Sequence, residues 1–163
     1  MKATGIVRRI DDLGRVVVPK EIRRILRIRE GDPLEIYTGE SGEIILKKYS
    51  PIGDMSQIAA EFAETASSIL GSTVAVSDTD SFVAAAGKQK RQFANDKIDA
   101  ELDHIIQSKD RFQSGRKLIV PIVSQGDAIG SITVLAPEDK DLGEAELKAA
   151  EIGAEFIAKR LYD

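Results

Sequence analysis

Arginine carries the chemistry this sequence offers most clearly. Arg8 and Arg9 precede a short turn, Asp11-Asp12-Leu13-Gly14, and Arg15 follows it, so a hairpin folded about that turn gathers three guanidinium groups. Arg23, Arg24 and Arg27 lie on the helix face opposite Ile22, Ile25 and Leu26. Arg23/Arg27 and Arg24/Arg27 are like-charge pairs at helical spacing, each costing about 0.2–0.5 kcal/mol. A bound polyanion would offset that cost. Guanidinium groups grip phosphate with two parallel hydrogen bonds and can read guanine edges in the major groove, so a fork-shaped array of them suits a nucleic-acid backbone.

Catalysis has little to work with. The 163 residues include no cysteine and one histidine, His104, which stands beside Asp103 on the charged side of its helix. There is no Ser-His-Asp set, no cluster of metal ligands and no Gly-rich phosphate loop. The pairs Asp78/Asp80 and Asp139/Asp141 fall between elements, where turn chemistry accounts for Asp. No metal, cofactor or enzymatic activity is expected. Without a long apolar run, and with Lys2, Arg8 and Arg9 in place of a signal peptide's apolar core, the chain reads as cytoplasmic, with no membrane partner.

The net charge of −4 conceals an asymmetry. Residues 1–50 hold 11 Lys/Arg against 8 Asp/Glu, whereas residues 51–163 hold 12 against 19. The first 29 residues alone hold nine basic and three acidic side chains, a local excess that attracts polyanions. The halves face different partners.

Pro51 and Gly53 mark the boundary between them, giving units at 1–50 and 55–163 with a linker at 51–54 and Asp54 as cap of the next helix. Unit one reads as strands at 5–10 and 15–18, a short helix opened by Pro19 and stopped by Gly31, and a hairpin pairing 34–38 with 43–49. About 50 residues without a disulfide bury too little surface to be stable alone, which points to a dimer. Unit two reads as a helix at 55–70, strands at 73–77 and 82–86, a helix at 92–107, strands at 118–123 and 128–135, and a helix at 144–162. This α+β pattern is an antiparallel sheet with helices on its faces. In the last helix Leu147, Ala150, Ala154, Ile157 and Leu161 make one seam, and Ile152 and Phe156 a second strip. One strip can face the sheet while the other meets a partner, so the helices at 55–70 and 144–162 are expected to join two dimers into a homotetramer. An apolar sheet face under a helix can also hold a small-molecule effector, oriented by polar groups such as Ser77, Asp78 and Ser131.

The run from Gly5 to Arg24, GIVRRIDDLGRVVVPKEIRR, resembles the AbrB-type swapped-hairpin DNA-binding domain of bacterial transition-state regulators. The resemblance covers residues 1–50 and implies a homodimeric β-barrel of interleaved hairpins, bound to double-stranded DNA through Arg8, Arg15, Arg23 and Arg24, with Arg9 at a basic position. The second unit resembles a GAF domain through Pro121-Ile122-Val123, the Gly126 turn, and the run from Ala128 to Leu135. Together they resemble the sporulation regulators of endospore-forming Firmicutes, which implies a nucleoid-associated activator or repressor of forespore genes. In the relatives a longer connection lies between the helix near Gln107 and the strand at Leu118; here about ten residues remain. An antitoxin-like DNA- and protein-binding module is the alternative, since swapped-hairpin heads also occur in toxin–antitoxin pairs. A GAF-type sulfoxide reductase would need cysteines.

Overall fold

A computed structural model describes residues 2–94 and 97–161, which form two compact units, Met1–Tyr49 and Ser50–Asp163. In the first, helix α1 spans Lys20–Leu26, and strands β1 (Leu34–Thr38) and β2 (Ile44–Lys48) pair antiparallel with Ile36 opposite Leu46. Pro19 takes the N-cap position, one residue earlier than a helix-opening Pro would, and Arg27 closes the helix in the left-handed conformation. Lys48 Nζ donates to the Arg27 carbonyl at 2.9 Å, tying the end of the helix to the hairpin.

The expected strands at 5–10 and 15–18 are not present as strands in the single chain. Their turn does form: Gly14 adopts φ +78°, its N–H donates to the Asp11 carbonyl, and the Asp11 N–H donates to the Arg15 carbonyl. A strand needs a neighbour for its N–H and C=O groups, and among the described residues the closing bond at Asp11 and Arg15 is the one backbone pair that joins these two arms. The apolar side chains that two such strands would bury are left in water, Val7 at 83% exposure, with Ile10, Val16 and Val17 also exposed. Elsewhere in the unit Ile25, Ile36 and Ile44 are exposed too, and Pro19 is its one buried residue among those described.

The second unit has a conventional core. Its five-stranded antiparallel sheet runs β4 (Phe82–Ala86), β3 (Thr73–Ser77), β7 (Asp127–Leu135), β6 (Lys117–Ser124), β5 (Phe112–Ser114). Residues alternate between two faces, as the period of a strand requires. On one face Val74, Val76, Leu118, Ile122, Ile132 and Val134 pack beneath α3 (Ser56–Leu70) and α5 (Glu144–Arg160). On α5 the seam of Ala150, Ala154 and Ile157 is buried in this core, while Ile152 and Phe156 project into solvent. The other face carries α4 (Ala100–Ser108), whose Leu102, Ile105 and Ile106 cluster with Ile98 and Ile119.

Three elements differ from the sequence reading. Residues 51–54, read as a linker, form a short helix, α2 (Pro51–Asp54), capped by Ser50, whose Oγ accepts from the Gly53 N–H, and Met55 rather than Asp54 takes the N-cap position of α3. Ile52 then anchors α2 in the core. The helix expected at 92–107 is instead a 3-10 turn at Lys90–Phe93 and then α4, because Lys97 pairs with Ser81, the Ile98 N–H donates to the Asp80 carbonyl, and Asp99 caps α4 through the Leu102 N–H. The connection after Gln107 contains the edge strand β5. Residue 162, at the end of the expected last helix, lies outside the described residues.

Close approach fixes two glycines. A Cβ on Gly130 would run into the Ser77 carbonyl oxygen and, at 2.5 Å, Ile52 Cδ1; one on Gly153 would strike the Phe62 ring between α3 and α5. Backbone cannot yield as a flexible side chain can. Gly130→Ala is therefore expected to cost ~1–3 kcal/mol or more, lowering the thermal midpoint by several degrees in circular dichroism. An unchanged midpoint would contradict the strand packing.

Candidate nucleic-acid interface

The arginine-bearing surface is built on the turn at 11–14 and on α1. Asp11 organises the turn: its Oδ1 accepts from the Leu13 and Arg15 N–H groups at 2.9 and 2.8 Å, and its Oδ2 accepts from Arg15 Nε at 2.7 Å. The backbone N–H of Arg15, then its guanidinium, hold the Asp11 carboxyl below its ordinary range. Arg15 thus has its Nε fixed while its side chain stays 71% exposed, leaving the outer guanidinium nitrogens to a ligand. Sequence reading took Asp11 as a turn residue; its place four residues before Arg15 was the signal for this second role.

Because the Asp11 pKa is depressed on folding, the stabilisation it gives is complete above the unfolded carboxylate pKa and is lost as pH falls through the depressed value. The turn should therefore not change from neutral pH down to about pH 5. Following the Asp11 carboxyl carbon by NMR titration should give a midpoint below the usual carboxylate range of about 3.9. A midpoint at or above it would mean that the pair with Arg15 does not persist in solution.

On α1, Arg23 and Arg24 are exposed in the last turn, and Arg23 Nε donates to the Val18 carbonyl at 3.1 Å, which orients its guanidinium beside the start of the helix. Cations at this end also complement the helix dipole. Arg8 and Arg9 are exposed on the arm before the turn, Arg8 donating to the Val7 carbonyl at 3.0 Å. One copy therefore fixes Arg15 to the turn and Arg23 to the helix entrance. It leaves Arg8 and Arg9 on an arm that pairs with no strand among the described residues.

The polar groups expected to orient an effector in the second unit are occupied. Ser77 and Ser131 hydroxyls bond each other at 2.6 Å and are fully buried. Asp78 Oδ1 accepts from the Asp80 and Ser81 N–H groups, and its Oδ2 accepts from Ser50. These three residues hold the strand ends together.

Residues 7–54 match the family described as antidote-toxin recognition MazE, bacterial antitoxin. Over 51 residues, 31% of this chain and 52% of the relative, the head is 63% identical to the transition state regulatory protein AbrB of Bacillus subtilis. The second unit has a GAF fold: the GAF domain of an Acinetobacter phosphoenolpyruvate-protein phosphotransferase superposes with TM-score 0.55 at 9% identity, covering 71% of this chain and 84% of that one. The chain thus joins an AbrB-like head to a GAF-fold domain. Residues 54–162 match the stage V sporulation protein T C-terminal family, transcription factor, and the whole chain is 44% identical to Bacillus subtilis stage V sporulation protein T, covering 99% of both. The chain belongs to the stage V sporulation protein T family.

Proposed function

We propose that this sporulation transcription factor binds double-stranded DNA as a dimer of its heads, through Arg8, Arg9, Arg15, Arg23 and Arg24, and acts in the forespore without catalysing a reaction. The observation that carries the proposal is the coincidence, in one 49-residue unit, of an exposed arginine array with apolar side chains that have no core of their own. Interleaving two copies would give the arms at 5–10 and 15–18 their strand partners and repeat the arginines about a two-fold axis, matching the symmetry of a palindromic site. Fluorescence anisotropy with a labelled promoter duplex tests this: binding that saturates and weakens steeply with salt supports it, and no binding contradicts it.

The antitoxin reading draws on the MazE match at 7–54. It accounts for the head but not for residues 50–163, which form a compact unit rather than the disordered toxin-wrapping tail such proteins use. We favour a regulatory and assembling role for that unit, including response to a small-molecule effector. No helix among the described residues is long and apolar enough to cross a membrane.

Ile152 (66% exposed) and Phe156 (51%) lie one turn apart on the outer face of α5, and Ile69 is exposed on α3. These helices join two head dimers into a tetramer. Replacing Ile152 and Phe156 together by Glu is expected to halve the particle mass in sedimentation velocity while leaving the heads paired. A parent protein that sediments only as a dimer would remove the tetramer.

A further inference from the structure

Helix α1 carries Arg23 and Arg24, yet a single copy of the chain gives it no buried side chain, and Ile25 is 78% exposed. Its 7 residues are too few for a helix to persist by itself in water. What holds α1 to the rest of the head lies at its C-terminal end. There Arg27 takes the left-handed conformation, φ +55°, where glycine is the usual occupant and a side chain is strained. The Arg27 and Ile28 N–H groups turn back to the Arg24 and Arg23 carbonyls at 3.3 and 2.8 Å, which closes the helix.

The Arg27 carbonyl is taken by β2, where Lys48 Nζ donates to it at 2.9 Å. The same ammonium lies 3.8 Å from Asp32 Oδ2, and that oxygen accepts from the Arg29 N–H at 2.8 Å. One cation and one carboxylate, both mostly shielded from water, therefore clasp the end of α1 and the loop 27–32 to the hairpin. Strand periodicity does not explain the lysine. The register sets Lys48 opposite Leu34, and alternation puts it on the face of Ile36, Ile44 and Leu46. An aliphatic residue would extend that apolar face, whereas an ammonium there costs desolvation unless it is paired. The bond to the Arg27 carbonyl and the pair with Asp32 offset the cost, and they give the cation its reason to stand there.

We propose that Lys48 is a positioning residue for DNA binding: with Asp32 it fixes the exit of α1 and so sets the direction in which Arg23 and Arg24 project. Neither Lys48 nor Asp32 touches DNA. The inference rests on the proposed DNA-binding role of the head and adds to it the residues that aim its arginines.

Promoter titrations on the full chain over a range of salt concentrations test it, with Lys48→Met and Asp32→Asn. Lys48→Met removes the ammonium and keeps an unbranched stem; affinity should fall about tenfold or more, because arginines no longer held in place must be ordered on binding. The salt slope should stay that of the parent, since no phosphate contact is lost. A direct contact, present twice in a dimer, would lower the slope by about 1.8. Asp32→Asn separates positioning from charge and keeps an acceptor for the Arg29 N–H. Removing a carboxylate near a polyanion tightens binding if net charge alone matters, whereas breaking the clasp weakens it. The losses should not add in the double variant, which should bind like Lys48→Met, because both changes break one network. Hydrogen exchange in the free protein gives a readout without DNA: the amides of Arg27 and Ile28 should exchange faster in both variants, with the particle mass in sedimentation unchanged. Should Lys48→Met lose the head dimer, Asp32→Asn decides. Parental affinity in Lys48→Met, a slope lower by about 1.8, tighter binding by Asp32→Asn, or exchange at 27–28 as slow as in the parent would overturn the assignment. A parent that binds no promoter defeats the proposed function and this role with it. A parent that binds while both variants match it defeats only this inference.

Discussion

Replacing Arg23 and Arg24 together by Ala should weaken promoter binding by on the order of 10³-fold at moderate salt. Each arginine occurs twice in a dimer of heads, so four cationic contacts are lost. At roughly 1 kcal/mol each, below the ~1.5–3 kcal/mol of buried hydrogen bonds to charged groups because these side chains are exposed, they amount to about 4 kcal/mol. The salt dependence gives a second readout. A parent dimer making most of its contacts to phosphate should lose on the order of 10³–10⁵ in affinity between 50 and 200 mM salt, and each contact removed lowers the logarithmic slope by roughly 0.9. The double variant should therefore show a slope shallower by about 3 to 4. Exposure of Arg23 and Arg24 on α1 makes them poor structural elements, so the thermal midpoint should hold. Tight binding with an unchanged slope would show that this face of α1 does not meet DNA.

The second large effect concerns assembly of the head. A fragment of residues 1–50 should be a folded dimer in light scattering at micromolar concentration, because a single copy leaves Val7, Ile10, Val16, Val17, Ile36 and Ile44 in water. Burying an aliphatic side chain fully contributes about 1.5–3 kcal/mol, and six of them exceed what a small head can forgo. Val16→Glu places a charge where that apolar surface must close; at about 3–5 kcal/mol for each of the two copies, it weakens the dimer by on the order of 10⁴-fold or more. A folded monomer of the parent fragment would exclude interleaved hairpins.

Much of this architecture was readable from periodicity. The apolar spacing of α3 and α5, the apolar runs of β6 and β7 on either side of the Gly126 turn, and the glycines between β1 and β2 each reflect a local rule that tertiary structure did not override. Where reading failed, a distant partner decided. Residues 92–107 carry a helical pattern, but the bridge of Lys97 to Ser81 separates the 3-10 turn ending at Phe93 from α4. β5 is only three residues long and exists because Ile119 and Leu118 lie opposite Phe112 and Gln113. Pro51 suggested a linker because proline breaks strands, yet it equally opens a helix, and Ser50 supplies the cap. The segments 5–10 and 15–18 have strand composition but pair with no strand among the described residues.

The two sites differ in the same way. An excess of basic residues in a short segment is visible in a sequence, since charge needs no neighbour to be recognised. Ser77 and Ser131 looked available and are bonded to each other, whereas Thr133, two residues further along the same strand and on the same face, is unpaired. Alternation assigns all three to one face, and only the register between β3 and β7 shows which hydroxyls meet.

The central claim is that the head arginines direct this chain to DNA sites that control transcription during sporulation. Mapping its bound sites across the genome of sporulating cells, alongside transcript levels, for the parent and the Arg23→Ala/Arg24→Ala variant tests it most directly. Discrete sites upstream of genes whose transcripts change, lost in the variant at equal protein level, are the expected result. Site occupancy retained by the variant, or binding with no relation to the genes that respond, would contradict it.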